Sequence, residues 1–279
     1  MTAPTTLHQA HIAFIGGGNM ASALIAGLMD AGIPSSHIRV LEIQPESRKT
    51  LNERYGIVAS ANADEVLLNA NVLIFSVKPQ QLASICRDLA DKVSDCMIMS
   101  IAAGVRTSDL SRWLNGKRNI VRAMPNTPAL VRAGITGLFA CAEVEESGKA
   151  IAQQLLEAVG TVVWVEKEQE LDAVTAISGS GPAYVFHFLE GLIAAGHQLG
   201  LSPHVSRELA LQTLVGAAKL AAGSEDSPTL LRTKVTSPGG TTQAALEVFA
   251  QAQWIETIAT AAWAAERRAQ ELGDSLSQA

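Results

Sequence analysis

Hydrophobic residues follow two different patterns in the two parts of the chain. Up to about residue 165, short apolar runs alternate with stretches of helical spacing, as in a parallel sheet wound with helices. The apolar runs predict strands at Ile12–Ile15, Ile38–Ile43, Val72–Val77, Met97–Ile101, Ile120–Ala123, Thr136–Ala140 and Val162–Val165. Between them the spacing predicts helices at about 19–31, 46–55, 80–90, 107–114 and 144–158.

Beyond about residue 166 the pattern predicts helices alone, at about 168–176, 181–199, 203–222, 227–234, 242–250 and 253–272. Pro182, Pro203 and Pro228 each fall in the first turn of one of these helices, where the missing N–H costs nothing. We therefore predict an α/β fold of two domains, a doubly wound sheet in residues 1–165 and an all-α domain in residues 166–279.

The first apolar run ends in a turn that is typical of dinucleotide binding. Gly16, Gly18 and Ala21 match G-x-G-x-x-A within GGGNMA, residues 16 to 21. Gly16 suits the tight turn, Gly18 lets a pyrophosphate approach the backbone, and Ala21 lets the helix lie against the strand. The first domain is therefore predicted to be of the Rossmann type.

Four further segments are unusual enough to suggest a ligand site. SVKPQ (76–80), SIAAG (100–104) and RAMPNTPAL (122–130) follow predicted strands, whose carboxyl ends line the cofactor crevice in such folds. SPGGTT (237–242) precedes a predicted helix, and its bare backbone and hydroxyl groups would suit a carboxylate. Taken singly, SVKPQ and RAMPNTPAL are also consistent with Pro79, Pro125 and Pro128 stopping strands, and SPGGTT is consistent with an ordinary helix cap.

Composition limits the partners of the protein. A net charge of -6 argues against a nucleic-acid partner. Cys86, Cys96 and Cys141 lack metal-ligand or C-x-x-C spacing, which suits reduced core thiols in a cytoplasmic protein, and we predict no metal site. The stretch 181–199 is interrupted by polar residues, so we expect a buried helix and no membrane span. The N-terminus shows no signal-peptide pattern. Apolar residues make up 48% of the chain, so part of its surface is expected to be covered by another subunit.

Taken together, the motifs resemble the pyrroline-5-carboxylate reductase family. GGGNMA, SVKP, SIAAG, RAMPNTPALV, SGSGPAY (178–184) and SPGGTT stand in that family's order and spacing, from about residue 11 to residue 272. The resemblance implies hydride transfer from NAD(P)H to the cyclic imine L-1-pyrroline-5-carboxylate, which yields L-proline in the last step of proline biosynthesis. It also implies that the all-α domain binds substrate and forms a homodimer, which could assemble further into a decamer.

The resemblance assigns the cofactor to residues of the first domain. The pyrophosphate would lie on the fingerprint, the adenosine near Asn62 and the SVKP segment, and the nicotinamide between Ala102 and Ala103 with Asn126 nearby. The implied cofactor-binding residues are Gly16, Gly17, Gly18, Asn19, Met20, Ala21, Asn62, Ser76, Val77, Lys78, Pro79, Ala102, Ala103 and Asn126.

The substrate is assigned to the second domain in the same way. Amide groups near Gly240 and Thr241 would hold the carboxylate, and the Thr242 hydroxyl would act catalytically by bonding the ring nitrogen. Glu168 and Glu225 match acidic positions beside the product, and Val235 matches an apolar wall. Lys234 stands where a relative carries asparagine, which leaves its role open.

The choice of cofactor is ambiguous in the sequence. Glu42 follows Ala21 by the spacing of an acidic residue that binds the ribose 2′-hydroxyl of NAD. Ser47, Arg48 and Lys49 could instead accept the 2′-phosphate of NADP, or form the solvated first turn of a helix. The resemblance favours NADPH, with NADH as the second candidate.

Two other functions share parts of this pattern. A 3-hydroxyacid dehydrogenase would carry a catalytic lysine near the start of the second domain, and the helix GPAYVFHFLEGL has none. A non-catalytic dinucleotide sensor would keep the fingerprint but would not need SPGGTT.

Overall fold

The computed structural model describes residues 6–278 and divides the chain into two compact units. The second unit is Gly181–Trp263, and the first contains the residues before it and those from Ala264 onward. Strands stop at Trp164, close to the predicted domain boundary at 165, whereas the compact units divide at 180 and 263. The boundary at 165 stays a prediction. It marks the point where strands give way to helices, whereas the compact units are defined by contacts within the chain.

The first unit is built on one eight-stranded sheet with the order β3-β2-β1-β4-β5-β6-β7-β8. Its strands are β1 (Ile12–Ile15), β2 (Ile38–Leu41), β3 (Val58–Ser60), β4 (Val72–Phe75), β5 (Met97–Ser100), β6 (Ile120–Met124), β7 (Gly134–Ala140) and β8 (Gly160–Trp164). The first six strands are parallel, β7 pairs antiparallel with β6, and β8 is parallel to β7. The carboxyl ends of the six parallel strands therefore meet at one edge.

Helices cover both faces of this sheet. They are α1 (Asn19–Asp30), α2 (Pro45–Tyr55), α3 (Ala63–Leu67), α4 (Pro79–Leu89), α5 (Thr107–Trp113), α6 (Glu146–Glu157) and α7 (Glu170–Val174), which runs into a π-helical turn, Thr175–Gly179. Side chains of β1 alternate between the two cores: Ile12 and Phe14 pack with α1 and α6, whereas Ala13 and Ile15 pack with α4 and α5. The prediction of a doubly wound α/β fold followed by helices is confirmed.

The second unit is entirely helical. It contains α8 (Gly181–Gln198), α9 (Pro203–Ala222), α10 (Pro228–Lys234), α11 (Thr241–Gln251) and the first part of α12 (Trp254–Ser277). Serine side chains cap α9 and α10, where Ser202 accepts from the Val205 N–H and Ser227 from the Leu230 N–H, both at 3.3 Å. Only Gly196, Ser206 and Ala210 are buried in this unit. It has almost no core of its own.

Three features of the first unit were not predicted. β3 has three residues at the edge of the sheet and an exposed Val58, so it forms no apolar run. The short helix α3 depends on the Asn62 side chain, which accepts from the Asp64 N–H at 3.0 Å. The sequence pattern also indicated parallel strands throughout, which is wrong for β7 and β8 relative to β6, because hydrophobic spacing carries no information about strand direction.

Within the described residues, no helix is both long and apolar enough to cross a membrane.

Candidate active site

The turn after β1 has room only for glycine at its first position. Gly16 lies at φ +98°, and its N–H donates to the Leu41 carbonyl at 2.8 Å. A Cβ there would lie 2.7 Å from Val77 Cγ1 and 2.9 Å from the Ser76 carbonyl oxygen. The Ser76 hydroxyl donates to the Gly16 carbonyl at 2.7 Å, so the carboxyl ends of β1 and β4 are joined at this turn.

Glu42 lies at the carboxyl end of β2 and is joined to the same turn. One carboxylate oxygen accepts from the Gly17 N–H at 2.9 Å, and the other accepts from the Gln44 N–H at 2.8 Å. A Cβ on Gly17 would lie 2.6 Å from Leu51 Cδ1, so this position is also crowded. The acidic group predicted to bind ribose is therefore held by two backbone amides beside the fingerprint.

The N-terminus of α1 is open to a ligand. Gly18 is the N-cap residue, no side chain caps it, and nothing lies within 4 Å of where its Cβ would be. Asn19, Met20 and the buried Ala21 form the first turn, whose N–H groups have no partner inside the helix. Such a helix end fits a pyrophosphate.

The other predicted cofactor residues lie at neighbouring strand ends. Lys78 is the N-cap of α4, Pro79 begins that helix, and Asn62 caps α3. After β5, Ala102 is buried and Ala103 is exposed. The loop then turns at Gly104, which lies at φ +79°.

In the second unit, α11 begins at the SPGGTT segment. Gly239 lies at φ +69°, and Gly240 is an N-cap without a capping side chain on α11. Within the described residues, the hydroxyl groups of Thr241 and Thr242 make no hydrogen bond. Gln243, which was not predicted as a site residue, accepts from the Gly239 N–H at 2.8 Å and so holds the turn. The result is a helix end with free amides and hydroxyl groups.

Comparison with known proteins identifies the family. A family model described as pyrroline-5-carboxylate reductase dimerisation matches residues 168–272, and one described as NADP oxidoreductase, coenzyme F420-dependent, matches residues 11–104. The protein named pyrroline-5-carboxylate reductase in Pseudomonas aeruginosa is 45% identical over 270 residues, which cover 96% of this chain and 98% of that one. The chain belongs to the pyrroline-5-carboxylate reductase family.

Solved structures of the reductase family agree with this assignment. A structure from Coxiella burnetii matches with a TM-score of 0.90 at 41% identity, covering 94% of this chain and 98% of that one. A Plasmodium falciparum structure described with NADP bound matches with a TM-score of 0.84 at 28% identity, covering 95% and 99%. The resemblance inferred from the motifs is confirmed, the chain is an oxidoreductase, and neither a hydroxyacid dehydrogenase nor a sensor is favoured.

Glu168, which the resemblance implies to lie beside the product, is hydrogen-bonded within the first unit. Its carboxylate accepts from the Thr107 N–H and from the Thr107 hydroxyl, each at 2.7 Å, and lies 3.2 Å from the Arg122 guanidinium. The Arg122 side chain is only 4% exposed and also lies 3.5 Å from Asp172. In this structure Glu168 caps α5 and balances a buried cation, while its contact with substrate stays a prediction.

Asn126 is likewise engaged within the first unit. Its amide nitrogen donates to the Ser178 carbonyl at 3.1 Å, and its amide oxygen accepts from the Ile135 N–H at 3.0 Å. The side chain therefore ties the loop after β6 to β7 and to the π-helical turn. No pattern in the sequence indicates these partners, because they lie 9 and 52 residues away.

The remaining predicted substrate residues lie on the surface of the second unit. Glu225 is exposed in the turn after α9, and Val235 is 66% exposed at the end of α10. Lys234 forms an ion pair with Asp226. Glu225 and Val235 are accessible to a small ligand and their roles stay predictions, while the role of Lys234 stays open.

The described residues show no arrangement suited to thiol or metal chemistry. Burial raises the pKa of the Cys86 thiol to about 12 and that of the Cys96 thiol to about 11, which keeps both protonated and unreactive at neutral pH. Cys141 is also unpaired. Among residues 6–278, no group of three His, Cys, Asp or Glu side chains has the arrangement of a metal site.

Proposed function

We propose that the protein reduces L-1-pyrroline-5-carboxylate to L-proline by hydride transfer from NAD(P)H, in the last step of proline biosynthesis. The observation that carries the proposal is the start of α11, where free amides stand beside the unpartnered hydroxyl groups of Thr241 and Thr242. This arrangement suits a small carboxylate that also carries a polar ring nitrogen. Family membership and the open fingerprint at α1 support the same reaction.

The substrate would be held by its two polar groups. The N–H groups at the start of α11 would bind the carboxylate, because a helix N-terminus favours an anion. The Thr242 hydroxyl would bond the ring nitrogen and so fix which face of the imine meets the cofactor. Glu225 and Val235 would border the ring in this proposal, and a direct role of Glu168 is not needed.

The proposed reaction needs no acidic or basic side chain to activate the substrate. The nicotinamide supplies a hydride, which adds to the imine carbon of the protonated substrate while the C=N π electrons become the nitrogen lone pair. The protein contributes orientation and exclusion of water, since the protonated imine is already electrophilic. An uncharged hydroxyl at Thr242 can stay bonded to the nitrogen as the positive charge on the imine is neutralised.

We propose NADH as the preferred cofactor, although the family resemblance favours NADPH. Glu42 is fixed by the Gly17 and Gln44 amides. In this proposal its carboxylate accepts from the ribose 2′-hydroxyl of NADH and would repel the 2′-phosphate of NADPH. Arg48, the cation that could offset this repulsion, donates instead to the carbonyls of Glu42 and Ile43 at 2.9 and 2.8 Å. While Nη1 makes these bonds, Arg48 could meet a 2′-phosphate only with its remaining N–H groups.

We also propose that the protein acts as a homodimer in the cytoplasm. Large apolar side chains on the second unit, including Phe186, Leu199, Leu220 and Trp263, are at least 60% exposed, so a second copy would cover them. Three unpaired cysteines suit a reducing compartment. The decamer stays an implication of the family resemblance.

The direct test is turnover by the purified, folded protein. We expect NADH oxidation at 340 nm only when pyrroline-5-carboxylate is added, with one proline formed for each NADH consumed. Parallel assays with NADPH give the cofactor ratio. Absence of turnover with both cofactors, in protein with an intact circular dichroism spectrum, would falsify the assignment.

A further inference from the structure

The C-terminal end of α12 packs within the first unit against the loop that follows Ala102 and Ala103. Two glycines face each other there, and a Cβ on Gly273 would lie 2.9 Å from the Gly104 carbonyl oxygen. Gly104 lies at φ +79°, and a Cβ there would lie 3.4 Å from the Gly273 nitrogen. A Cβ on Gly273 would therefore displace the loop, whereas Gly104 is restricted to glycine by its positive φ.

Polar contacts extend this packing along the same segment. The Arg106 guanidinium donates to Asp274 at 2.6 Å. The Ser277 hydroxyl donates to the buried Asp109 carboxylate at 2.6 Å, and the Ser277 carbonyl accepts from Arg112 at 2.7 Å. The last turns of α12 therefore contact the loop and α5 at three successive levels.

The loop is held from its other side as well. Glu168 fixes the backbone and the hydroxyl of Thr107, at the start of α5. Before the loop, the Ser100 hydroxyl accepts from the Ala102 N–H at 3.3 Å. Ala102 and Ala103 therefore lie between a strand end and an anchored segment, and their position depends on how closely α12 approaches Gly104.

From this geometry we propose that Gly273 and Asp274 are positioning residues for the reaction. They set the distance between α12 and the Ala102–Ala103 loop, and thereby the position of the nicotinamide ring. This inference rests on the proposed function. Neither residue would touch cofactor or substrate. Both lie beyond residue 272, where the match to the dimerisation model ends, so this contact is not part of the matched dimerisation region.

The decisive variant is Gly273→Ala. Alanine is the better helix former, so α12 is expected to keep its structure, while the added methyl group displaces the Gly104 carbonyl. Because a misplacement of about 1 Å can cost a hundredfold in rate, we expect kcat to fall roughly ten- to a hundredfold. The Kd for NADH should stay within about twofold, because the pyrophosphate and adenosine contacts are unchanged. The primary isotope effect with 4-deuterated NADH should rise as hydride transfer becomes slower.

A milder variant covers the case in which Gly273→Ala does not fold. Asp274→Asn weakens the pair with Arg106 without adding heavy atoms. Glu271→Gln is the matched control, since within the described residues Glu271 forms an ion pair only with the exposed Arg268 on the same helix. We expect kcat to fall roughly two- to fivefold for Asp274→Asn, with unchanged melting temperature, and not at all for Glu271→Gln.

The outcomes separate the two proposals. A wild-type protein without turnover defeats the proposed function and not the packing of α12. An active wild type whose Gly273→Ala variant keeps its kcat and isotope effect overturns the positioning role. If Gly273→Ala does not fold, the positioning role is overturned when the kcat of Asp274→Asn equals that of the wild type. Activity lost only in proportion to folded protein also overturns it, because the contact would then serve stability alone.

Discussion

Thr242 supplies a single hydroxyl group where the proposed reaction needs a hydrogen bond to the ring nitrogen. A hydroxyl that is already bonded within the protein would have to break that bond on binding substrate. Thr242 makes no such bond within the described residues, whereas Thr260 on α12 donates to the Glu256 carbonyl at 2.8 Å. The two threonines therefore form a matched pair for mutation.

Thr242→Ala should lower kcat/KM for pyrroline-5-carboxylate and leave the Kd for NADH within about twofold. Loss of one hydrogen bond to a charged nitrogen costs about 1.5–3 kcal/mol of transition-state stabilisation, or roughly ten- to a hundredfold in rate. Thr260→Ala should match the wild type in steady-state kinetics. Unchanged kinetics in Thr242→Ala would remove this residue from the site.

Glu42→Ser should move the cofactor preference towards NADPH. The change removes the carboxylate that would repel a 2′-phosphate, and it also releases the Gly17 N–H for an anion. We expect the ratio of kcat/KM for NADPH to that for NADH to rise roughly tenfold or more, or about 1.4 kcal/mol. A constant ratio in wild type and variant would mean that Glu42 points away from the ribose.

At the scale of elements, the sequence predicts what hydrophobic periodicity and turn chemistry encode. Seven of the eight strands and every long helix lie where the pattern places them, because regular apolar spacing marks an element whether or not its apolar face is covered within the same chain. The fingerprint could also be read directly, since Gly16 must take a positive φ. The partners of Glu168 and Asn126 could not be predicted from the sequence, because it is the order and direction of the strands that bring Thr107, Arg122 and Ser178 beside them.

The two glutamates assigned to the substrate should therefore behave differently. Glu168→Gln keeps the size of the side chain but leaves the buried Arg122 with Asp172 alone, so we expect a loss of about 2–4 kcal/mol in the free energy of unfolding. Because Glu168 also anchors Thr107 beside the Ala102–Ala103 loop, any change in activity per folded molecule should fall on kcat, while KM for the substrate stays within about twofold of the wild type.

Glu225→Gln is the comparison, because Glu225 is exposed in a turn. Its free energy of unfolding should change by less than about 0.5 kcal/mol, and any effect should fall on KM for the substrate. Urea unfolding and steady-state kinetics on both variants distinguish the roles. A raised KM with unchanged stability in Glu168→Gln would restore that residue to the substrate site.

At the scale of the whole molecule, the two units differ in how completely they bury their apolar residues. The sheet of the first unit has a core on each face, whereas the second unit buries three residues and leaves many large apolar side chains in contact with water. A helical unit of this kind needs a second surface to become stable.

We therefore expect the protein to be a dimer, or a multiple of dimers, at every concentration at which it is active. Light scattering across a dilution series, with specific activity measured on the same samples, tests this expectation. Activity should fall when the dimer dissociates, because the unit that carries Thr241 and Thr242 loses its support. A compact monomer with full specific activity would contradict it.

The scarcity of buried residues in Gly181–Trp263 also bears on how a denatured chain recovers its activity. The α/β unit can enclose its cores within one chain, so its recovery should follow first-order kinetics that do not depend on concentration. The helical unit gains most of its buried surface only by meeting another chain, so the return of catalysis should be second order in protein at low concentration. The first unit would then refold before the second, and the chain would stay inactive until it meets another chain. The frequency of these encounters would set the rate of reactivation.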